Sequence, residues 1–319
     1  MKHRLFCLSL FTLVAVWITT SAAQAPKAKR VNKAIELLEQ GQPIYYTGSH
    51  DGTEGSFDNG VKDAQTWADY ISYDMEHAPF DVKGLAEYMK GLAKGGPTKS
   101  GHKTPAVIVN VPVNGTDAAT VRANAWMFHQ VLATGVHGIM LCHADDPGAV
   151  RAFIEAVRFP NHMQGVGKGI SEGRRGAHGT PNASQIWGIT QDQYVAKADA
   201  WPLNPDGELL LGLKLEDKYA LENADANLKV PGVGFAEWGP GDMALSLGIR
   251  NSGRGPMPDP LKQARARVLA ATKANKIFFL NSMNQNDVID MIKEGVMVGP
   301  ANERTAEIGR QFTKRQMPW

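Results

Sequence analysis

Eight short apolar runs with strand character recur along the chain: Pro43–Thr47, Tyr70–Met75, Ala106–Val111, His137–Cys142, Leu209–Glu216, Gly232–Ala236, Ile277–Leu280 and Val296–Gly299. Between them lie amphipathic helical patterns, among them Val82–Leu92, Ala118–Ala133, Ala149–Val157, Lys218–Asn227, Pro260–Ala274 and Asn286–Lys293. Alternation of this kind implies parallel strands joined by helical crossovers, because parallel neighbours cannot be linked by a tight turn. Eight such units fill a closed (β/α)8 barrel, and a length of 319 residues suits one. An open, doubly wound sheet would carry a glycine fingerprint after its first strand, and none follows Pro43–Thr47. The expected fold is therefore an α/β (β/α)8 TIM barrel over residues 35–319, behind a linker at 24–34. A first helical stretch, Val31–Glu39, ends at Gly41.

Two stretches interrupt the rhythm. Ser49–Asn59 is rich in Gly, Asp and Ser and is expected to be an extended loop. Pro160–Asp206 is longer than an ordinary connection, and such segments often cover an active site. Its Gly165–Gly169 run lacks the spacing and the Lys-Ser/Thr ending of a phosphate-binding loop. Within the segment, Arg174 and Arg175 are candidates for an anion clamp, with a solvated basic loop as the alternative; His178 is a candidate substrate contact.

The first 23 residues stand apart from the fold. Lys2, His3 and Arg4 precede an almost wholly apolar Leu5–Ile18, and small residues follow in Ser21-Ala22-Ala23-Gln24-Ala25. This is the three-part pattern of a secretory signal, with cleavage expected after Ala23. The apolar run is shorter than the roughly 20 residues needed to span a bilayer, which favours cleavage over anchoring. A secreted or periplasmic protein is expected.

Lys+Arg 34 against Asp+Glu 32 leaves a net charge of +2, no electrostatic footprint for nucleic acid or for an anionic membrane. With 43% hydrophobic and 21% charged residues, disorder and coiled coil are excluded as well. Two cysteines, Cys7 and Cys142, cannot build a disulfide framework. Cys7 leaves with the signal, and Cys142 is expected to be a buried, inert thiol.

Catalytic groups of such a barrel stand at the C-terminal ends of its strands. There the chain carries Asp74-Met75-Glu76-His77, Cys142-His143-Ala144-Asp145-Asp146, Lys214-Leu215-Glu216-Asp217 and Glu237-Trp238-Gly239-Pro240-Gly241-Asp242. Carboxylates at neighbouring strand ends, with room for water, suit a hard octahedral cation such as Mg²⁺. Singly, each has an ordinary alternative. Asp242 could cap a helix beginning near Met243, Glu216 could be a surface carboxylate, and His77 a structural hydrogen-bonding residue.

Taken together, Asp74-x-Glu76-His77-x-Pro79, Glu216 and Gly239-Pro240-x-Asp242 resemble the HpcH/HpaI aldolase family, within the pyruvate/phosphoenolpyruvate-type barrels. Val109-Asn110-Val111-Pro112 and Gly165-Val166-Gly167 extend the likeness, which runs from Ile35 to Phe312. The resemblance implies a divalent-metal carbon–carbon lyase that acts beside a 2-oxo acid through a metal-stabilised enolate. It implies Glu216 and Asp242 as metal ligands, with Mg²⁺ expected first and Mn²⁺ or Co²⁺ as alternatives. It implies His77 as the catalytic proton shuttle, Asp74 as the acid that holds it, and Asn110, Gly239 and Pro240 as substrate-binding positions. It also implies a hexamer in which C-terminal helices, here Ala301–Phe312, are exchanged between subunits.

Three positions depart from the family pattern. Asn110 stands where the family has an Arg, so the planar charged fork for an oxyanion is missing. Lys214 stands where the family has a Gln, two residues before Glu216 and so on the same inward face of its strand. Ala133 replaces an acidic residue. Lys214 is accordingly a catalytic candidate that returns the charge lost at Asn110. Its alternatives are a plain ion pair with Glu216 and a Schiff-base nucleophile, the latter opposed by nearby carboxylates that favour the ammonium.

The expected function is a metal-dependent aldolase or lyase acting on a hydroxylated 2-oxo acid. The alternatives are another lyase or hydrolase reaction on the same barrel, and a non-catalytic organic-acid-binding protein. Expected partners are a small organic acid and other copies of the chain, with no nucleic acid and, after signal cleavage, no membrane.

Overall fold

The expected strand runs are short, rich in Val, Ile, Leu and Tyr, and flanked by amphipathic helices, the composition of a parallel sheet covered on one face and filled on the other. The computed structural model describes residues 30–48, 52–250 and 255–318; the expected signal segment lies outside them. In chain order the strands are β1 (Ile44–Thr47), β2 (Tyr70–Asp74), β3 (Ala106–Asn114), β4 (Gly138–Cys142), β5 (Ala200–Trp201), β6 (Leu209–Lys214), β7 (Phe235–Glu237), β8 (Phe278–Leu280) and β9 (Val296–Pro300). They pair in parallel in the order β4-β3-β2-β1-β9-β8-β7-β6, and β4 closes the ring onto β6. The two-residue β5 adds only a short pairing beside β6. The expected (β/α)8 barrel is this closed eight-stranded ring, with the helices outside. Among the described residues no helix is long and apolar enough to cross a membrane.

Side chains alternate along each strand, so every second residue enters the ring. Ile44, Tyr70, Ile108, Met140, Leu210, Phe235 and Val298 make an inner core together with Ile35 and Leu38 of the helix Lys33–Glu39. That helix plugs the N-terminal end of the barrel. Its N-cap Asn32 donates from Nδ2 to the carbonyls of His137 and Glu208, just before β4 and β6, each at 3.0 Å. Arg30, Asn32 and Lys33, within the expected linker, are buried in the same contact.

The interior is tightly filled at Gly212, where a Cβ would lie 2.3 Å from the Phe235 ring. Gly212→Val should therefore overpack the barrel and lower stability by about 1–3 kcal/mol, read as a fall in the urea midpoint. An unchanged midpoint would mean that the Phe235 ring moves aside freely.

One buried carboxylate ties the plug to the C-terminus. Asp69, just before β2, is fully buried and meets Arg315 Nη1 at 2.7 Å, Arg310 Nη2 at 3.1 Å and Lys33 Nζ at 3.4 Å. Arg310 belongs to the helix Glu303–Phe312, which lays Ala306 and Gly309 against its own barrel. At Gly309 a Cβ would lie 1.9 Å from the Tyr45 hydroxyl, so only glycine lets the helix sit this close.

Three expectations about the connections are corrected. Ser49–Asn59 is not wholly extended: a helix, Phe57–Asp63, begins inside it behind the N-cap Ser56. It survives on packing, since Gly60 and Gly91 let it approach the helix Val82–Gly95 so closely that a Cβ on either would lie 2.1 Å from a backbone carbonyl. Pro160–Asp206 is not structureless, holding the helices Thr180–Trp187 and Gln191–Lys197 as well as β5. Nor does it cover the catalytic end. The helix Pro147–Val157 carries the chain back from the end of β4, and the segment packs at the opposite end of the barrel. There Trp187 donates to the Gly135 carbonyl at 2.8 Å and stacks on His137. Finally, the expected helices Ala118–Ala133 and Lys218–Asn227 are each broken once, at Asn124 and Asn223.

Candidate active site

One step beyond the apolar core, the same alternation points Asp74, Asn110, Lys214 and Glu237 into the C-terminal end of the barrel. Strand register sets Asp74 beside Asn110 and Lys214 beside Glu237. Glu216 follows two residues after Lys214.

Asp74 organises the turn after β2. Its Oδ1 accepts the N–H groups of Glu76 at 2.8 Å and His77 at 2.9 Å. Its Oδ2 lies 3.0 Å from His77 Nδ1 and accepts Asn110 Nδ2 at 3.3 Å. An ionised carboxylate can only accept, so the proton sits on Nδ1 and Nε2 is the basic nitrogen. Asp74 is buried, whereas the His77 side chain is 42% exposed. Asn110 thus braces Asp74, while its own Oδ1 is buried and accepts no hydrogen bond from the described residues.

Lys214 is 3% exposed; its ammonium contacts Glu76 Oε2 and lies 3.8 Å from Glu216 Oε2. Burial disfavours the charged form, but the carboxylates of Glu216, Glu237 and Glu76 more than offset it, holding the pKa well above the ordinary lysine value. These carboxylates favour the ammonium over the neutral amine that a Schiff base needs. Cys142 is buried, and burial pushes its thiol far up, which makes it the inert thiol expected.

Burial also pushes the Glu216 carboxyl up to about 7, with Lys214 opposing and Glu76 adding to the shift. Glu216 Oε1 accepts the backbone N–H of His143 at 3.0 Å. His143 reaches it from a left-handed conformation, φ 43°, at the exit from β4. The His143–Asp217 hydrogen bond raises the imidazole to about 9, against burial and helped by Glu216 and Glu76. Near neutral pH His143 is therefore a charged neighbour of Glu216. Ligand atoms of Glu76, His143 and Glu216 lie within 4.8 Å of one another, as do those of Asp74, Glu76 and His77.

Asp242 joins neither group of three among the described residues. It lies half-buried in the first turn of the helix Pro240–Ser246, whose N-cap is Gly239 and not Asp242. Gly239 has φ 47°, and a Cβ there would lie 2.2 Å from Glu216 Cβ and 2.7 Å from its Oε2. Glycine is what allows this helix to start directly against Glu216. Pro240 fixes the first helical position and, with Glu237, Asn281 and Asn284, lines a cavity of about 340 Å³.

The three residues proposed from the long segment lie elsewhere. The Arg175 guanidinium is buried, 4.5 Å over the Phe159 ring and donating to the Tyr194 hydroxyl at 2.6 Å. Arg174 and His178 are exposed on that same segment, at the far end of the barrel. In their place the structure brings in Glu76, His143 and Glu237. Glu76 stands inside the quoted Asp-x-Glu-His motif, and Glu237 follows from the register of Lys214. Only the backbone turn at His143 left no sequence signal.

A family model for HpcH/HpaI aldolase/citrate lyase matches residues 61–300. The 2-keto-3-deoxy-L-rhamnonate aldolase of Klebsiella pneumoniae subsp. pneumoniae is 28% identical over 208 residues, 65% of this chain and 64% of that protein. The chain thus spans just under two thirds of the length of the curated relatives it matches. An HpcH/HpaI aldolase/citrate lyase family protein from Burkholderia cenocepacia J2315 has the same fold, with a TM-score of 0.65 at 21% identity over 88% of this chain and 96% of that one. An HpcH/HpaI aldolase from Desulfitobacterium hafniense DCB-2 aligns with a TM-score of 0.61 at 18% identity, over 88% and 96% of the two chains. Since the matched region holds β2 to β9 and every residue of the Asp74–His77 and Glu216–Asp242 constellation, the chain belongs to the HpcH/HpaI aldolase/citrate lyase family.

Proposed function

We propose that the protein is a divalent-metal-dependent carbon–carbon lyase that cleaves, and reversibly forms, the bond next to a 2-oxo acid unit. The observation that carries this is the convergence of Glu76 and Glu216 beside a carboxylate-held histidine, His77, at the catalytic end of the barrel. The curated relatives, named for 2-keto-3-deoxy-L-rhamnonate, favour a hydroxylated 2-oxo acid. The donors fit a hard cation, being mostly carboxylate oxygens, and Gly239 keeps open the space against Glu216 that a Cβ would fill. Glu216 and Asp242 would hold the ion, Mg²⁺ first, with Mn²⁺ or Co²⁺ as alternatives.

A divalent ion bound there supplies a Lewis acid for the carboxylate and keto oxygens of the substrate and for the negative charge that develops on them. In cleavage, His77 Nε2 takes the proton of the hydroxyl whose carbon becomes the aldehyde. The electrons of the broken bond pass to the 2-oxo acid fragment, and a proton is returned to its C3. Asp74 keeps the imidazole in one tautomer and stabilises the imidazolium while it holds that proton. Asn110 braces Asp74, Lys214 keeps a positive charge beside the carboxylates, and Gly239 and Pro240 shape the wall toward the 340 Å³ cavity. Export and homo-oligomeric assembly complete the proposal, in which Ala301–Phe312, folded onto its own barrel in the single chain, would make the same contacts on a neighbouring copy; the pattern of residues 1–25 supports the first, and the family resemblance the second.

The reading is tested by screening 2-keto-3-deoxy sugar acids for pyruvate release with and without Mg²⁺ or Mn²⁺. On the substrate so found, His77→Ala should lower kcat by about 10²–10⁴-fold, the range of a lost general acid–base, with metal affinity intact. Undiminished turnover in that variant would overturn the assignment of His77.

A further inference from the structure

We propose that Lys214 is a built-in counter-ion for the metal-binding carboxylate Glu216: its ammonium and a divalent cation compete for that carboxylate, so Lys214 sets how tightly the site holds its ion. The proposal rests on the metal assignment made above.

The geometry is specific. Lys214 Nζ contacts Glu76 Oε2 and lies 3.8 Å from Glu216 Oε2. The other Glu216 oxygen already accepts the His143 N–H. Lys214 and Glu216 side chains are 3% and 1% exposed, so water screens their interaction poorly. An ion binding Glu216 has two courses. It can share the carboxylates with the ammonium, which sets positive charges a few ångströms apart in a poorly screened site. It can instead displace the ammonium, which breaks a buried ion pair. Either course weakens metal binding relative to a site with a neutral side chain at 214. Lys214 comes from a central strand whose neighbours β4 and β7 are both paired, so the backbone cannot carry the charge away.

Calorimetric titration of the whole chain with Mn²⁺ tests this on Lys214→Gln, Lys214→Met and Lys214→Arg. The Gln and Met variants should bind Mn²⁺ tighter than wild type by about 10–100-fold, the scale on which outer-shell groups tune metal sites. The Arg variant keeps the charge and should stay near wild type. Equal or weaker binding by Gln and Met, with wild type binding normally, would overturn the proposal alone. No Mn²⁺ binding by any form would overturn the metal assignment beneath it. A second measurement does not depend on the variants folding. In wild-type protein with ¹⁵Nζ-labelled lysine, added Mg²⁺ should shift the buried Lys214 ammonium resonance, and an unmoved resonance at saturating Mg²⁺ would also overturn the proposal.

Discussion

Glu216→Gln should abolish divalent-metal binding and lower kcat/KM by at least about 10³-fold, or about 4 kcal/mol of lost transition-state stabilisation. The substitution is nearly isosteric, and the amide oxygen still accepts the His143 N–H, so the exit from β4 keeps its conformation. What disappears is the negative charge that the proposed function assigns to holding the ion. Lys214 keeps its contact with Glu76, so no cation is stranded. Circular dichroism and the urea midpoint should therefore stay close to wild type while calorimetry with Mn²⁺ shows no binding. Asp242→Asn is the comparison. It leaves the helix Pro240–Ser246 and the Gly239 contact with Glu216 in place, and should weaken binding through its charge alone. Wild-type Mn²⁺ affinity in Glu216→Gln would remove this carboxylate from the ligand set.

Asp69→Asn should cost about 3–5 kcal/mol, because breaking a buried pair strands the charge of its partners. Three partners are involved, Lys33, Arg310 and Arg315, all buried at the plugged end of the barrel. Against a total of about 5–15 kcal/mol for a typical fold, this is among the most damaging single changes available. Its pH dependence has a definite sign. Burial alone would raise the Asp69 pKa, but Arg315, Lys33 and Arg310 outweigh it and hold the carboxyl below its usual range. A depressed folded-state pKa contributes stability above the unfolded value of about 3.9, and that contribution is lost as pH falls through the folded value. Urea midpoints should thus show a large gap between wild type and Asp69→Asn at pH 7, closing as the pH drops below about 4. A gap that persists unchanged in acid would mean that the amide fails for shape and not for charge.

The barrel was legible because its strands are buried on both faces: eight short apolar runs between amphipathic helices leave few alternatives. The elements that escaped are held by contacts that single-sequence patterns do not show. Phe57–Asp63 contains Gly60, which reads as loop until the facing Gly91 supplies the close approach that makes the helix pay. The length of Pro160–Asp206 suggests a cover for the site, yet a helix returning from β4 delivers it to the opposite end. At the site, Asp74, His77, Lys214 and Glu216 could be named from strand-end position and motif. The pairing of Lys214 with Glu76 could not, because it joins β6 to the turn after β2 across the barrel mouth, 138 residues apart in sequence. The buried Arg175 makes the same point in reverse. A basic pair in a glycine-rich segment suggests an anion site, but Phe159 and Tyr194 already stack against its guanidinium.

In the proposed reaction, the negative charge that develops on a pyruvate-like unit would be stabilised at the metal-loaded site while His77 moves the proton. Solvent exchange of the pyruvate methyl protons, followed by ¹H NMR in D₂O, reads that step without knowledge of the full substrate. Metal-loaded wild-type protein should exchange them; protein stripped by chelation, Glu216→Gln and His77→Ala should not. Pyruvate that binds by calorimetry yet keeps its methyl protons in the metal-loaded wild type would contradict it.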